Sequence, residues 1–201
     1  MLFNLSIKQK RIGIPNRIKA YLPRAERILY YNSLIKPLTL YCSVTWTSCC
    51  SHDNISKIFR LQKRCARIIL DAPQRHSTVD LLNTLGWVPY YIETDIKRCT
   101  IAHKRIMGAC PLYINDLLKL NNSQHNRNTR GANFTILPTR FNRAKEGGRT
   151  FSVTTITCWN HLPLKLRASS SVNILKNALY KHFKLSQLKN KIFTPFLNNN
   201  F

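Results

Sequence analysis

Between Asp53 and Asp71 the apolar residues Ile55, Ile58, Phe59, Cys65, Ala66 and Ile69 recur at helical spacing. Such spacing returns to one side of an α-helix at every turn, so the segment can bury its apolar set only as an amphipathic helix. Asp53 is placed to cap the start, and Asp71 with Pro73 marks the end. On the other side Lys57, Arg60, Lys63, Arg64 and Arg67 project within an arc of about 120°. No acid lies between Asp53 and Asp71 to pair with them. Their repulsion is therefore uncompensated within the helix and is best relieved by phosphates or counterions. The plain alternative is a solvated basic face.

Helical periodicity extends to both sides of this segment. A helix is predicted around Arg24–Ile35, with Pro23 near its start and Pro37 ending or bending it, because proline lacks an N–H and clashes with the preceding turn. A short helix near Val79–Leu85 stops at Gly86. Another is predicted from Ile92 to Met107, where Ile92, Ile96, Cys99, His103 and Ile106 share a face and Gly108 supplies the stop. A last helix, Val172–Leu185, is entered through Ser169-Ser170-Ser171 and buried through Val172, Leu175, Leu179 and Phe183. Phe134–Leu137 and Thr150–Thr155 are rich in β-branched and aromatic residues, so one short β-hairpin is admissible in the C-terminal half. The fold class expected is mainly α, a small helical bundle.

Composition then limits what such a bundle is for. The chain has 201 residues, 32 Lys and Arg against 8 Asp and Glu, and a formal net charge of +24. Its 44% hydrophobic content suffices for a packed core, which argues against general disorder. The excess charge calls for a polyanionic partner, RNA or DNA, held by backbone contacts. It is uneven: residues 1–75 carry 14 basic and 3 acidic side chains, residues 76–120 carry 5 and 4, and residues 151–201 carry 7 and 0. The neutral middle reads as scaffold and the flanks as contact surfaces. No apolar stretch is long enough to suggest a membrane span. No secretory signal is visible and seven cysteines form no disulfide framework, so reduced thiols in an intracellular protein are expected, in nucleus or cytoplasm.

The organisation expected from these signals is a basic N-terminal arm at 1–20 and a helical region at 21–120. A polar linker follows at 121–133, then an α-rich region at 134–188 and a frayed tail at 189–201. Further basic groups are Lys8, Lys10, Arg11, Arg17 and Lys19 in the arm, and Arg127, Arg130, Arg140, Arg143, Lys145 and Arg149 around the linker. Of these, Arg127, Arg130 and Arg149 join the five helix cations as candidate nucleic-acid contacts.

Chemistry beyond binding finds little support. Cys49-Cys50-Ser51-His52 groups three ligand-type side chains, but no CxxC pair and no second cluster accompany them, so no metal and no cofactor are expected. Glu93 and Asp95 are the nearest pair of acids, and no phosphate-binding, HExxH or GxSxG motif is present. Trp46, Trp87 and Trp159 could stack on bases, although core anchoring is the commoner use of such residues. No catalytic residue is assigned.

A series of short motifs adds to this reading. Tyr21-Leu22-Pro23, Leu29-Tyr30-Tyr31-Asn32-Ser33-Leu34-Ile35-Lys36-Pro37, Tyr41-Cys42 and Trp46 resemble the region just after the polymerase core of non-LTR (LINE, jockey-like) retrotransposon reverse transcriptases. Leu61-Gln62-Lys63-Arg64-Cys65-Ala66-Arg67-Ile68-Ile69 is similar to that family's basic helix. Gly148-Arg149-Thr150-Phe151-Ser152-Val153 and Trp159-Asn160-His161-Leu162-Pro163 resemble its closing motifs. The resemblance covers about residues 15–185. It implies a thumb-like and post-polymerase α-helical region that grips RNA template and DNA primer, working with the polymerase core of a parent element. The family's catalytic Asp-Asp turn is absent from this sequence, so the chain alone is not expected to be an enzyme. The other readings are a domesticated protein-interaction module and a nonfunctional remnant of a mobile element.

Overall fold

A computed structural model describes residues 12–120, 134–140 and 147–188, and the architecture among them is mainly α. The helices are α1 (12–18), α2 (Arg24–Tyr30), α3 (Lys36–Leu40), α4 (Ser43–Trp46), α5 (His52–Leu70), α6 (Thr78–Leu85), α7 (Tyr90–Ile106), α8 (Leu112–Leu117), α9 (Phe151–Asn160), α10 (Leu164–Arg167) and α11 (Val172–Leu188). Among the described residues no helix is long and apolar enough to cross a membrane. The chain divides into two compact units, one of Met1–Ser43 with Cys50–Tyr91 and one of Val44–Cys49 with Ile92–Phe201. The linker expected at 121–133 lies outside the described residues, as do most of the N-terminal arm and the tail at 189–201.

The first unit is organised by α5. Its inward face buries Ile58, Gln62, Cys65, Ala66, Ile68 and Ile69. Cys65, Ile68 and Ile69 pack with Ile12, Tyr31 and Ile35 in one cluster, edged by Ile28, Tyr30, Leu61, Leu85 and Trp87. Tyr31 and Trp87 stack with ring centroids 4.1 Å apart, so Trp87 is a core anchor. Full burial of each Ile contributes about 1.5–3 kcal/mol. The cap of α5 differs from expectation. Its N-cap is Ser51, and Asp53 sits inside the first turn, where its charge still complements the exposed N–H groups. At the other end Asp71 adopts a left-handed conformation, φ 51°, which Asp tolerates better than most residues.

Pro37 neither ends nor breaks its helix. The chain runs from α2 through a π-helical turn, Tyr31–Ile35, into α3, where Pro37 lies at the first positions. The wider turn shifts the hydrogen-bond register, shown by the Lys36 N–H donating to the Tyr31 carbonyl. That shift places the proline where a missing N–H is tolerated. Gly86 closes α6 as expected, with φ 67° and the Trp87 N–H donating to the Leu82 carbonyl at 2.8 Å, a geometry that favours glycine.

Gln62 is the polar residue in the apolar face, 6% exposed. Its amide donates to the Val88 carbonyl at 3.0 Å and accepts from the Tyr90 N–H at 3.0 Å. It thereby satisfies a carbonyl of the 87–89 segment and the first N–H of α7, groups that no helix ladder pairs.

In the second unit α7 buries Ile92, Ile96, Cys99, Ala102 and His103. α11 buries Leu175, Leu179 and Phe183. The Thr150–Thr155 arm of the expected hairpin is helical: it belongs to α9, entered from Thr150. The β-branched run is accommodated because Thr154 and Thr157 turn their hydroxyls back to the carbonyls of Thr150 and Val153, while Thr154, Thr155, Ile156, Cys158 and Trp159 gain burial. The other arm contributes an isolated antiparallel bridge between Ile136 and Leu120. Trp159 Nε1 donates to the Phe134 carbonyl at 2.8 Å, and the Asn160 amide donates to the Ile136 carbonyl at 2.8 Å and accepts from the Ile136 N–H at 3.3 Å. Asn160 thus supplies edge pairing to a segment that a neighbouring strand would otherwise pair.

A buried ion pair completes this unit. Arg98, 2% exposed, donates to Asp95 at 2.6 Å, to the Ser48 hydroxyl at 2.7 Å and to the Val44 carbonyl at 3.3 Å. Burial pushes the Asp95 carboxyl up to about 6, against the downward pull of Arg98. None of the seven cysteines forms a disulfide, and the Cys99 and Cys158 sulfurs meet at 3.3 Å inside the second unit.

Two outcomes follow from these polar interiors. Gln62→Leu keeps the volume but strands the Val88 carbonyl and the Tyr90 N–H, and should lower stability by about 2–4 kcal/mol, read as a fall in urea midpoint. Asp95 holds its proton more tightly folded than unfolded, so its contribution to stability is greatest in acid and declines as pH rises from about 4 to about 6. The stability difference between wild type and Asp95→Asn should therefore change with pH in that window, by on the order of 2 kcal/mol, and be level above it. Urea titrations at intervals from pH 4 to 8 check this.

Candidate nucleic-acid interface

Burial of Ile58, Gln62, Cys65 and Ile69 sets the rotation of α5, and the five cations must then point away from the core. Lys57, Arg60 and Arg64 are exposed, and Lys63 and Arg67 are half-buried. From Lys57 to Arg67 the stripe runs for about 15 Å along the helix axis. No carboxylate among the described residues pairs with any of the five. Partial burial first, then the positive charges of Arg67 and Arg60, hold the Lys63 ammonium below the usual lysine value. Its Nζ rests 4.4 Å from the centroid of the Phe59 ring, a cation–π contact. Arg67 Nε is enclosed and donates to no acceptor among the described residues.

Both ends of the stripe are bounded by acids. Asp53 lies in the first turn. Asp71 is engaged by Lys19 at 2.6 Å, and that hydrogen bond and charge hold its carboxyl below the ordinary range. Other cations of this unit serve the fold: Arg27 donates to the Ile68 carbonyl at 2.7 Å and Arg24 to the Thr84 carbonyl at 3.4 Å. Arg27 was not among the sequence candidates. Its place seven residues before Leu34 in a mixed helix gave no sign that it would cap the end of α5.

The remaining candidates are dispersed. Arg149 belongs to the second unit, exposed just before the N-cap of α9, and its carbonyl accepts a weak hydrogen bond from the Cys49 thiol at 3.8 Å. Arg140 is exposed in the same unit. Arg127 and Arg130 lie outside the described residues, as do Lys8, Lys10, Arg11, Arg143 and Lys145. Of the eight candidate positions, the structure brings together the five on α5.

Other residue groups weighed in the sequence have structural employment. His103 is fully buried and its Nε2 donates to the Ser169 carbonyl at 2.8 Å. Trp159 is fully buried as well. Asp95 is paired with Arg98. No group of three or more His, Cys, Asp and Glu placed to hold a metal ion occurs among the described residues. Compared with known proteins, the chain matches no family model, no curated protein and no solved structure.

A like-charged stripe kept without counter-charges carries a cost that substitution can reveal. Arg60→Glu places an acid three residues from both Lys57 and Lys63 and four from Arg64. It should raise stability by about 1–3 kcal/mol at low salt, with the gain fading at 1 M salt. Paired thermal melts at the two ionic strengths give the reading.

Proposed function

We propose that this chain is a noncatalytic nucleic-acid-binding module that grips the sugar–phosphate backbone through the cationic face of α5. The observation that carries the proposal is five cations on one helix face with no acidic partner among the described residues. Each close like-charge pair on the face costs a few tenths of a kcal/mol in the free protein. A polyanion removes that cost and gains by releasing its own condensed counterions. Contacts of this type give affinity with little base readout.

The motif series supports a narrower form of the same proposal. In it the chain is a piece of a LINE-type RNA-directed DNA polymerase lying beyond the catalytic core, with template and primer as the bound strands. The basic helix carries part of that resemblance and is also the element with the unpaired cations, so two separate arguments meet on α5. The role assigned to the chain in this reading is positioning of a nucleic acid.

The test uses the three exposed cations, whose loss should leave the fold intact. Lys57→Gln, Arg60→Gln and Arg64→Gln combined should weaken binding to an RNA–DNA duplex by at least about tenfold near 100 mM salt. They should also flatten the slope of log affinity against log salt by roughly 2–3. Unchanged affinity and slope would remove α5 as the contact. Equal affinity for an acidic protein, with no preference for nucleic acid, would favour the protein-interaction reading instead.

A further inference from the structure

We infer that the cationic face of α5 takes single-stranded nucleic acid, with one base stacked against the Phe59–Tyr91 ring pair and its phosphates held by Arg60 and Lys63. This deepens the proposed function and rests on it.

An aromatic pair, partly open to solvent, stands beside the cation stripe. Phe59 and Tyr91 are both half-buried, with ring centroids 5.7 Å apart and planes at 73°. Phe59 is not part of the cluster built on Cys65, Ile68 and Ile69 and borders the cation stripe on the same helix, while Tyr91 also meets the buried Tyr90 ring edge-on at 5.9 Å. Arg60 is its sequence neighbour and Lys63 follows four residues later, a spacing that puts side chains about 5–6 Å apart at Cβ. The Lys63 ammonium already rests on the Phe59 ring. It is a single charge on a flexible stem, so a phosphate can draw it aside and uncover the ring face for a base.

This pairing of π-surface and cations discriminates between nucleic-acid forms. A duplex presents phosphates outward and keeps its base faces in the stack, so it can use the cations and not the rings. A single strand offers both, and stacking on aromatic side chains is the common means by which proteins hold unpaired bases without reading their identity. The half-buried setting of Phe59 favours it further, because the ring is held by Tyr91 and loses little freedom on binding.

The experiment is fluorescence anisotropy on the full chain, with oligo-dT, oligo-rU, a duplex of the same length and inorganic polyphosphate as probes. Phe59→Leu keeps most of the packing volume and every cation, and circular dichroism checks that the helix content is unchanged. Expected is a loss of about 5- to 150-fold on one or both single strands, with the salt slope kept and binding of duplex and polyphosphate unaltered. The two single strands separate RNA from DNA as the source. An equal loss on all four probes, or no loss on any, overturns the inference while leaving the backbone-binding proposal in place. Failure of the wild-type chain to bind any probe overturns both.

Discussion

The first unit depends on how α5 divides its circumference. Ile58, Cys65, Ile68 and Ile69 are at most 8% exposed, and each buried aliphatic side chain contributes about 1.5–3 kcal/mol. Against that stand five like-charge pairs at three- and four-residue spacing along the stripe, each worth about 0.2–0.5 kcal/mol of repulsion. Burial wins by severalfold. The cations are therefore carried on the outward face at a cost the core easily offsets, and the orientation of that face follows from the core rather than from any attraction among the charges.

The positive charge also has two employments that a count of residues does not separate. Arg24 and Arg27 bind carbonyls near the ends of α6 and α5. In the second unit, Arg105 donates to the Leu118 carbonyl and Arg167 to Phe134 and Thr135. Arg98 is enclosed with Asp95, and Lys19 is engaged by Asp71. These six cations satisfy acceptors that folding exposes, chiefly the last carbonyls of helices, where a positive group is favourable. The net charge of +24 is thus in part employed by the fold itself, whereas the five α5 cations meet no carboxylate among the described residues.

What could be read in advance follows the strength of local constraints. The period of α5, the burial of Ile92, Ile96, Cys99 and His103 on α7 and of Leu175, Leu179 and Phe183 on α11, and the stop at Gly86 each depend on residues close in sequence and are present, while Ile106 and Val172, expected on the same faces, are half-buried. Departures occur where a distant contact or a backbone adjustment decides. Pro37 reads as ending or bending its helix, yet the chain stays helical past it through a π-turn one step earlier. Thr150–Thr155 has the composition of a strand, but packing around Trp159 together with hydroxyl back-bonding makes it helical. Gln62 occupies a position that the helix phase places inside, three residues before Cys65 and four before Ala66. The phase was available as a signal, but the backbone groups that Gln62 serves at Val88 and Tyr90 are not visible from its own helix.

The same distinction sorts the motifs that resemble a reverse-transcriptase tail. Trp159 and Asn160 hold the 134–136 segment by side-chain hydrogen bonds, and Leu162 is buried. Their chemistry is spent inside the second unit, so a likeness at these positions speaks for a shared way of packing. In the basic-helix motif the residues alternate in employment: Gln62, Cys65 and Ala66 face inward, while Lys63, Arg64 and Arg67 belong to the cation stripe. Only the outward set is open to a ligand. Any functional weight placed on the resemblance therefore falls on α5, where the inward residues set the direction in which the cations point.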